Sequence, residues 1–127
     1  IDMQLPFECV NEKFIEELAV LEPFGKGNAR PVFAERQVQV ESARILGKNK
    51  NVLKLQVKDL NGTRMDAMYF GDVNTFVEYV REKFGDIACE CLLRGHGHGI
   101  VMAFTYYPDI NEYQGVRTPQ IVIQNYK

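Results

Sequence analysis

The sequence has no long apolar run and little cysteine. No stretch approaches the ~20 consecutive apolar residues that a helix needs to cross a bilayer, and no charged segment followed by an apolar one opens the chain. Three cysteines are too few, and odd in number, for a disulfide framework. These absences exclude membrane and disulfide-rich secreted classes. We expect a cytoplasmic protein with reduced thiols and no membrane partner.

Nucleotide-binding loops are also missing, although the stretch LEPFGKGNARPVF, residues 21–33, is rich in glycine. A phosphate loop needs Gly, four residues and then Gly-Lys-Ser/Thr, and the run Gly25-Lys26-Gly27-Asn28 has neither that spacing nor the hydroxyl. A dinucleotide fingerprint precedes a helix, whereas here the predicted helix comes first. The stretch therefore predicts a junction between structural elements, with a direct phosphate contact by Lys26 as a lesser alternative.

Length and composition predict one soluble globular domain. The chain has 127 residues, of which 46% are hydrophobic and 25% charged. It begins at Ile1 and not at methionine, so we expect a piece of a longer protein. We divide it into an N-terminal helix with a junction loop, residues 1–31, and a main domain, residues 32–127.

The first half alternates between helical and strand periodicity. Asn11 begins an amphipathic helix that Pro23 ends. Period-two alternation then predicts one long strand over residues 32–45, with a bulge near Ser42. Its expected inner face is formed by Val32, Ala34, Val38 and Val40.

The second half predicts a hairpin, two helices and two further strands. Residues 53–58 alternate as a half-buried strand, and Asn61-Gly62 is a strong hairpin signal that returns the chain into residues 64–70. Asp72 caps a helix that Gly85 closes, and a short helix follows at residues 87–93. Strands are predicted at residues 100–107 and 120–126. A long non-strand connection through Pro108, Asn111, Gly115 and Pro119 is predicted to join them.

The predicted order is strand, strand, strand, helix, strand, strand. Five strands with a helix between the third and fourth, and a long curled first strand, are the order of an OB-fold barrel. We therefore predict an α+β chain, mainly β, built on a five-stranded OB barrel with a short N-terminal helix.

Charge is unevenly distributed along a chain whose net charge is −2. Residues 44–64 hold six basic residues against the single acid Asp59, a local net charge of +5. A positive surface on a near-neutral body is compatible with binding a polyanion at one face. The alternative is a solvated strand edge that lysines protect from aggregation. The candidate nucleic-acid-binding residues of this stretch are Lys48, Lys50, Lys54, Lys58 and Arg64.

Aromatic residues and one arginine complete the candidate site. Tyrosine rings stack on bases in single-strand-binding OB faces, although most aromatics of a small domain are core. We expect Tyr69, Tyr107 and Tyr113 to be exposed enough for stacking. Arg117, in the predicted closing loop, is a candidate phosphate clamp, with a solvated turn residue as the alternative.

A zinc site is considered and disfavoured. Cys89, Cys91, His96 and His98 lie within ten residues and carry suitable ligand atoms. Residues two apart on a helix point about 200° apart, so the two thiolates could share one ion only if residues 87–93 are not helical. We expect semi-buried cysteines and no metal in this chain.

The combined blocks resemble the C-terminal part of RecJ, a family of single-stranded-DNA-specific exonucleases. LEPFGKGNARPVF is similar to the segment that joins the catalytic modules of that family to its OB domain, although the family usually has proline at the position of Ala29. VLKLQVKD and MDAMYFG resemble its second and third barrel strands, and YYPDINEYQGVRTPQIVIQNY resembles its closing hairpin. The blocks span residues 21–126.

The resemblance implies a bacterial repair and recombination enzyme whose chemistry lies elsewhere. In the family, Mn²⁺ or Mg²⁺ ions held by Asp and His clusters, including a DHH motif, hydrolyse the phosphodiester. The two histidines here, His96 and His98, do not follow an aspartate. The expected role of the chain is to grip single-stranded DNA for a 5′→3′ exonuclease site in catalytic domains of the same parent chain.

Two rival functions remain open. The face could be a docking module for another repair protein, such as single-strand-binding protein. A stand-alone enzyme is disfavoured, because no nucleophile with a base, and no carboxylate cluster, occurs at useful spacing.

Overall fold

The structure, a computed structural model, describes residues 3–4, 7–19, 32–47, 49 and 51–127. An N-terminal segment contains strand β1 (Met3–Gln4), a 3₁₀ turn (Phe7–Cys9) and helix α1 (Glu12–Ala19). The remaining elements follow in chain order: β2 (Phe33–Leu46), β3 (Val52–Lys58), β4 (Arg64–Tyr69), α2 (Val73–Phe84), α3 (Asp86–Leu93), β5 (Val101–Tyr113) and β6 (Val116–Tyr126).

Strands β2 to β6 close into a barrel. The first half of β2 pairs with β5 and its second half with β3, both antiparallel. β3 pairs with β4, β4 pairs in parallel with β6, and β6 returns antiparallel to β5. Within the described residues this is a closed five-stranded mixed barrel with α2 and α3 between its third and fourth strands. The predicted OB fold is confirmed.

The long first barrel strand is bent at two places. Its pairing with β3 shifts between Val40 and Ser42, which confirms the predicted bulge. A second shift, between Glu35 and Val38 in the pairing with β5, was not predicted. Because of this second shift, the predicted set of inward-facing residues is wrong at the start of the strand. Phe33 is buried there, whereas Val32 and Ala34 are half-buried.

The β3–β4 hairpin turns at Asn61-Gly62 as predicted. The Asp59 carboxylate accepts hydrogen bonds from the backbone N–H groups of Asn61 and Thr63, each at 3.0 Å. Its other oxygen accepts from the Phe7 N–H, also at 3.0 Å. Asp59 is buried, so these bonds satisfy a carboxylate that would otherwise be costly in the interior. They also join the N-terminal segment to the barrel.

The helices begin at the predicted caps. The Asn11 side chain accepts from the Phe14 N–H at 2.8 Å, and the Asp72 side chain accepts from the Thr75 N–H at 3.1 Å. This hydrogen bonding lowers the pKa of Asp72. One stripe of α2, formed by Val73, Phe76 and Val80, is buried against the barrel.

The connection between the last two strands differs from the prediction. Instead of a long non-strand connection, β5 and β6 continue as one antiparallel ribbon that pairs as far as Tyr113 and Val116. The turn residues Gln114 and Gly115 both have positive φ, 51° and 80°, as in a two-residue type I′ hairpin.

Pro108 and Pro119 lie inside the strands of this ribbon. The pairing of β5 with β2 ends before Pro108, and that of β6 with β4 begins after Pro119. Each proline therefore lies where its strand has one described strand neighbour, a position that tolerates a missing N–H.

Candidate nucleic-acid interface

The outer surface of β3 and β4 carries three of the six predicted cations, and Arg44 of β2 lies beside them. On β3, Leu53, Leu55 and Val57 are buried, so the alternate residues Lys54, Gln56 and Lys58 lie on the outside of the barrel. We call the outward side chains of Arg44, Lys54, Lys58 and Arg64 the basic face.

The strand register places these cations in pairs. Arg44 of β2 is directly opposite Lys54, and Lys58 is directly opposite Arg64 of β4. Like charges in directly opposite positions destabilise a sheet. Lys54 and Lys58 are four residues apart on one strand, a separation of roughly 13 Å.

The four cations of the basic face differ in whether an acidic side chain forms an ion pair with them. Arg64 Nε lies 3.0 Å from Glu41 Oε1 and forms an ion pair. Within the described part of the chain, no ion pair holds Arg44, Lys54 or Lys58. These three cations are therefore the least compensated part of the face.

One cation beside the basic face was missed by the sequence analysis. Arg94, at the end of α3, lines a depression of about 420 Å³ together with Arg44 and Lys54. It is ion-paired with Glu90, 3.6 Å away, on the preceding helical turn. Arg44 had been counted in the basic stretch without being selected. The predicted bulge near Ser42 was the signal that could have selected it, because the bulge changes the parity of the strand and turns Arg44 outward.

Several predicted contacts lie outside the described residues. Lys48 and Lys50 flank the connection between β2 and β3 and are among them. The junction stretch is also outside, from Leu21 to Pro31, including Lys26. Their predicted roles stay predictions.

The three candidate tyrosines have different surroundings. Tyr69 is half-buried, with its ring 5.4 Å from Phe76 and 5.6 Å from Tyr126, so the expectation that it is exposed was wrong. Tyr69 has the same parity on β4 as the buried residues Met65 and Ala67, so its side chain turns inward, where it packs against Phe76 of α2. Tyr107 is half-buried opposite Val122. Tyr113 is 69% exposed beside the ribbon turn.

Arg117 lies on the ribbon but contacts the N-terminal helix. Its Nη1 atom is 2.9 Å from Glu12 Oε1 and 3.1 Å from Glu16 Oε1. One turn of α1 separates the two glutamates, so both carboxylates reach the same guanidinium. The structure places this candidate phosphate clamp in an ion-paired network, where phosphate must compete with two acids.

Comparison with known proteins identifies the family. A family model described as RecJ OB domain matches residues 1–125. The chain belongs to the RecJ OB-domain family. A search of the curated proteins found no match.

Two solved structures of RecJ from Thermus thermophilus share the fold of this OB domain. The complex with Mn²⁺ is 20% identical and superimposes with a TM-score of 0.60, covering 100% of this chain and 15% of that one. The complex with Mg²⁺ is 19% identical with a TM-score of 0.61, covering 99% of this chain and 16% of that one. This chain thus corresponds to a small part of the RecJ chains that it matches.

Two of the three cysteines of this RecJ OB domain lie on one α-helix. Both Cys89 and Cys91 belong to α3, which confirms the helical premise of the zinc argument. Burial raises the pKa of the Cys89 thiol. In the part of the chain that the structure describes, no group of three or more His, Cys, Asp and Glu side chains is arranged to hold a metal ion. Likewise, no described helix is long and apolar enough to span a membrane.

The candidate residues fall on the parts of an OB fold that bind oligonucleotides. OB folds use the face of their second and third strands and the loops between strands one and two and between strands four and five. In this RecJ OB domain those strands are β3 and β4, with Lys54, Lys58 and Arg64. The loops are the β2–β3 connection and the ribbon turn beside Tyr113.

Proposed function

We propose that this RecJ OB domain binds single-stranded DNA on its basic face. The strand runs across β3 and β4, with phosphates against Lys54 and Lys58 and with the β2–β3 connection and the ribbon turn on either side. Lys48 and Lys50 add charge on one side, and Tyr113 offers an exposed ring for base stacking on the other. Tyr107 contributes from its half-buried position at the margin of this path.

The observation that carries the proposal is the opposition of like charges across the sheet. Arg44 faces Lys54 and Lys58 faces Arg64, although such pairs weaken a sheet. Arg64 is relieved by Glu41, whereas Arg44 and Lys54 have no ion-pair partner in the described residues. An arrangement that costs stability in the free protein is stabilised by a polyanion, because the phosphates supply the missing negative charge.

The proposed partners are the DNA strand and the rest of the parent chain. The RecJ structures contain Mn²⁺ or Mg²⁺, and this chain corresponds to 15% and 16% of their length. We place the metal-dependent 5′→3′ exonuclease site in catalytic domains outside this chain. The role of the OB domain is to hold the strand so that its 5′ end meets that site, in DNA repair and recombination in the cytoplasm of a bacterium.

A double substitution tests the DNA-binding face. Lys54→Ala/Lys58→Ala should weaken binding of single-stranded oligonucleotides of every sequence. The slope of the logarithm of the binding constant against the logarithm of salt concentration, here called the log-salt slope, should fall in magnitude by roughly 1 to 1.5. Each lost phosphate contact on a single strand removes about 0.7 from it. Fluorescence titrations of labelled single- and double-stranded oligonucleotides at two salt concentrations measure both quantities.

Two controls accompany that experiment. Lys54→Arg/Lys58→Arg keeps the charge and should keep the affinity. Lys13→Ala removes an exposed lysine of α1, away from β3, and should change little. If the alanine variant folds normally and binds with unchanged affinity and slope, the DNA face lies elsewhere and the proposal fails.

A second candidate function is docking of another protein, such as single-strand-binding protein. The ribbon end favours it, because Tyr113 and Val116 are cross-strand partners that are 69% and 65% exposed. An apolar dock has a shallow salt dependence, whereas phosphate neutralisation has a steep one. Tyr113→Ala/Val116→Ala should abolish protein docking in this case and leave the salt slope for DNA unchanged.

A further inference from the structure

A cleft of about 770 Å³ lies on a different part of the barrel from the basic face. It is formed where the first half of β2 meets β5, beside the end of β6 and Lys83 of α2. No described residue of β3 or β4 lines it. Ligand sites commonly have volumes of about 300–1,000 Å³, so the cleft has room for a small organic molecule.

The backbone at the cleft departs from regular pairing. Between the pairs Glu35↔Phe104 and Val38↔Met102, two residues of β2 face the single residue Ala103 of β5. Both backbone hydrogen bonds of Ala103 go instead to Lys127, at 2.9 Å each. Bulges of this kind redirect side chains and are frequent beside binding sites.

The bulge also holds an unusual backbone conformation. Gln37 has φ 57°, in the left-handed region that a residue other than glycine seldom adopts. Backbone strain of this kind is concentrated at functional sites. Gln37 and its neighbour Arg36 are exposed, so the strained segment is accessible to a ligand.

The lining of the cleft is positively charged. Its cations are Arg36 of β2, Lys83 of α2 and Lys127, which follows β6, and none has an ion-pair partner within the described residues. Lys83 Nζ lies 3.3 Å from the Tyr79 hydroxyl. Among the described lining residues the one acid is Glu35, and burial raises the pKa of its carboxyl. The cleft is therefore complementary to an anion.

An unpaired hydroxyl lines the same cleft. Thr105 Oγ1 is buried and makes no hydrogen bond to any described group. A buried hydroxyl without a partner costs free energy, and most such groups are paired. Because Thr105 lines the cleft, its hydroxyl is a candidate hydrogen-bonding group for a molecule bound there.

We propose that this cleft binds the phosphate group of a nucleotide, through Arg36, Lys83 and Lys127. Phosphate suits three cations that line one cleft, and the half-buried ring of Tyr126 and the exposed Val101 give the base an apolar surface. The phosphate could belong to a free mononucleotide or to a nucleic-acid strand, and the chemistry of recognition is the same. This site is separate from the proposed DNA face and does not depend on it.

Amide NMR of the ¹⁵N-labelled chain tests the site. Thymidine monophosphate at millimolar concentration should shift the amide signals of Arg36, Gln37 and Ala103, and thymidine, which lacks the phosphate, should not. A tetranucleotide is the second probe. Shifts with the monophosphate identify a site for free nucleotides, and shifts with the tetranucleotide alone identify a site for a strand. Either result supports the proposal.

Variants sharpen the test. Arg36→Ala/Lys83→Ala should weaken binding of the monophosphate at least tenfold, and the milder Arg36→Gln several-fold. Lys13→Ala/Arg81→Ala, which removes the same charge outside both the cleft and the basic face, should leave this binding unchanged. Thr105→Val should weaken binding several-fold without lowering the melting temperature, because it removes a hydroxyl that is unpaired in the free protein.

Three results would overturn the proposal: no shift with either phosphate ligand, equal shifts with thymidine, or undiminished binding by a correctly folded Arg36→Ala/Lys83→Ala variant. Failure of the basic face to bind DNA would leave these measurements unaffected, so the two proposals fail separately.

Discussion

The basic face and the β5–β6 ribbon both carry cations predicted to contact DNA, yet their neighbours differ. On the basic face, Arg44 and Lys54 lie opposite each other with no acid paired to them in the described residues. On the ribbon, Arg117 is held by Glu12 and Glu16 of α1. A cation without a compensating acid is available to a phosphate, whereas a neutralised cation must first be released. The sequence positions of these residues do not reveal that difference.

The largest expected effect follows from reversing charge where it is uncompensated. Arg44→Glu/Lys54→Glu should weaken single-strand binding by roughly a hundredfold or more at low salt, since both attraction and phosphate contacts are lost. Fluorescence anisotropy measures the change, with Lys13→Glu as the control for net charge. Binding within threefold of the unsubstituted protein would show that the uncompensated pair is not part of the DNA site.

The next prediction concerns stability and has the opposite sign. Lys54→Glu alone converts the like-charged pair with Arg44 into an opposite-charged one, which should raise the free energy of unfolding by about 0.2–1 kcal/mol. Urea denaturation measures it at low salt, and high salt should reduce the gain. A variant that loses both stability and DNA binding would indicate that Lys54 supports the fold instead.

Releasing the ribbon arginine should have a smaller effect. Glu12→Gln/Glu16→Gln removes both carboxylates from Arg117, so single-strand binding should strengthen several-fold and the log-salt slope should grow by about 0.7. The cost in stability should stay below about 1 kcal/mol, because these ion pairs are substantially exposed. The triple variant that adds Arg117→Ala should cancel the gain. Unchanged binding by the glutamine variant would place Arg117 outside the DNA path.

The smallest effect is expected at a neutralised cation on α2. Arg81 is paired with Glu78 at 3.0 Å and with Asp86 at 3.3 Å, on a helix that contributes nothing to the basic face. Arg81→Ala should leave single-strand affinity within twofold. A loss comparable to that of Lys54→Ala would mean that net charge, and not placement on the basic face, controls binding.

Much of the fold was predictable because local patterns agreed with it. The Asn61-Gly62 turn, the Asp72 cap and the period-two strand at residues 53–58 each follow from short-range chemistry. The ribbon was missed because Pro108 and Pro119 are turn signals in isolation. They fit into strands here because each lies in a stretch that pairs with one described neighbouring strand and not with two. The bulge at Arg36-Gln37 carries no glycine or proline to mark it.

The sequence predicted which side chains of the candidate site lie on the outer surface, but not which other side chains they contact. Alternation placed Lys54 and Lys58 on the outer surface, as observed. It did not place α1 beside Arg117, because a contact between Arg117 and Glu16, 101 positions apart, depends on the assembled barrel. Exposure and charge compensation are properties of that assembly, so they separate candidates that the sequence ranks alike.

Amide NMR mapping of a bound oligonucleotide tests whether β3 and β4 form the DNA-binding face. On titration with a short single strand at low salt, we expect the largest shifts along β3 and the facing part of β4, over Lys54–Lys58 and Arg64–Met68, and we expect added salt to reverse them. Saturating binding that leaves β3 and β4 unshifted, or no binding at all at low salt, would contradict this expectation.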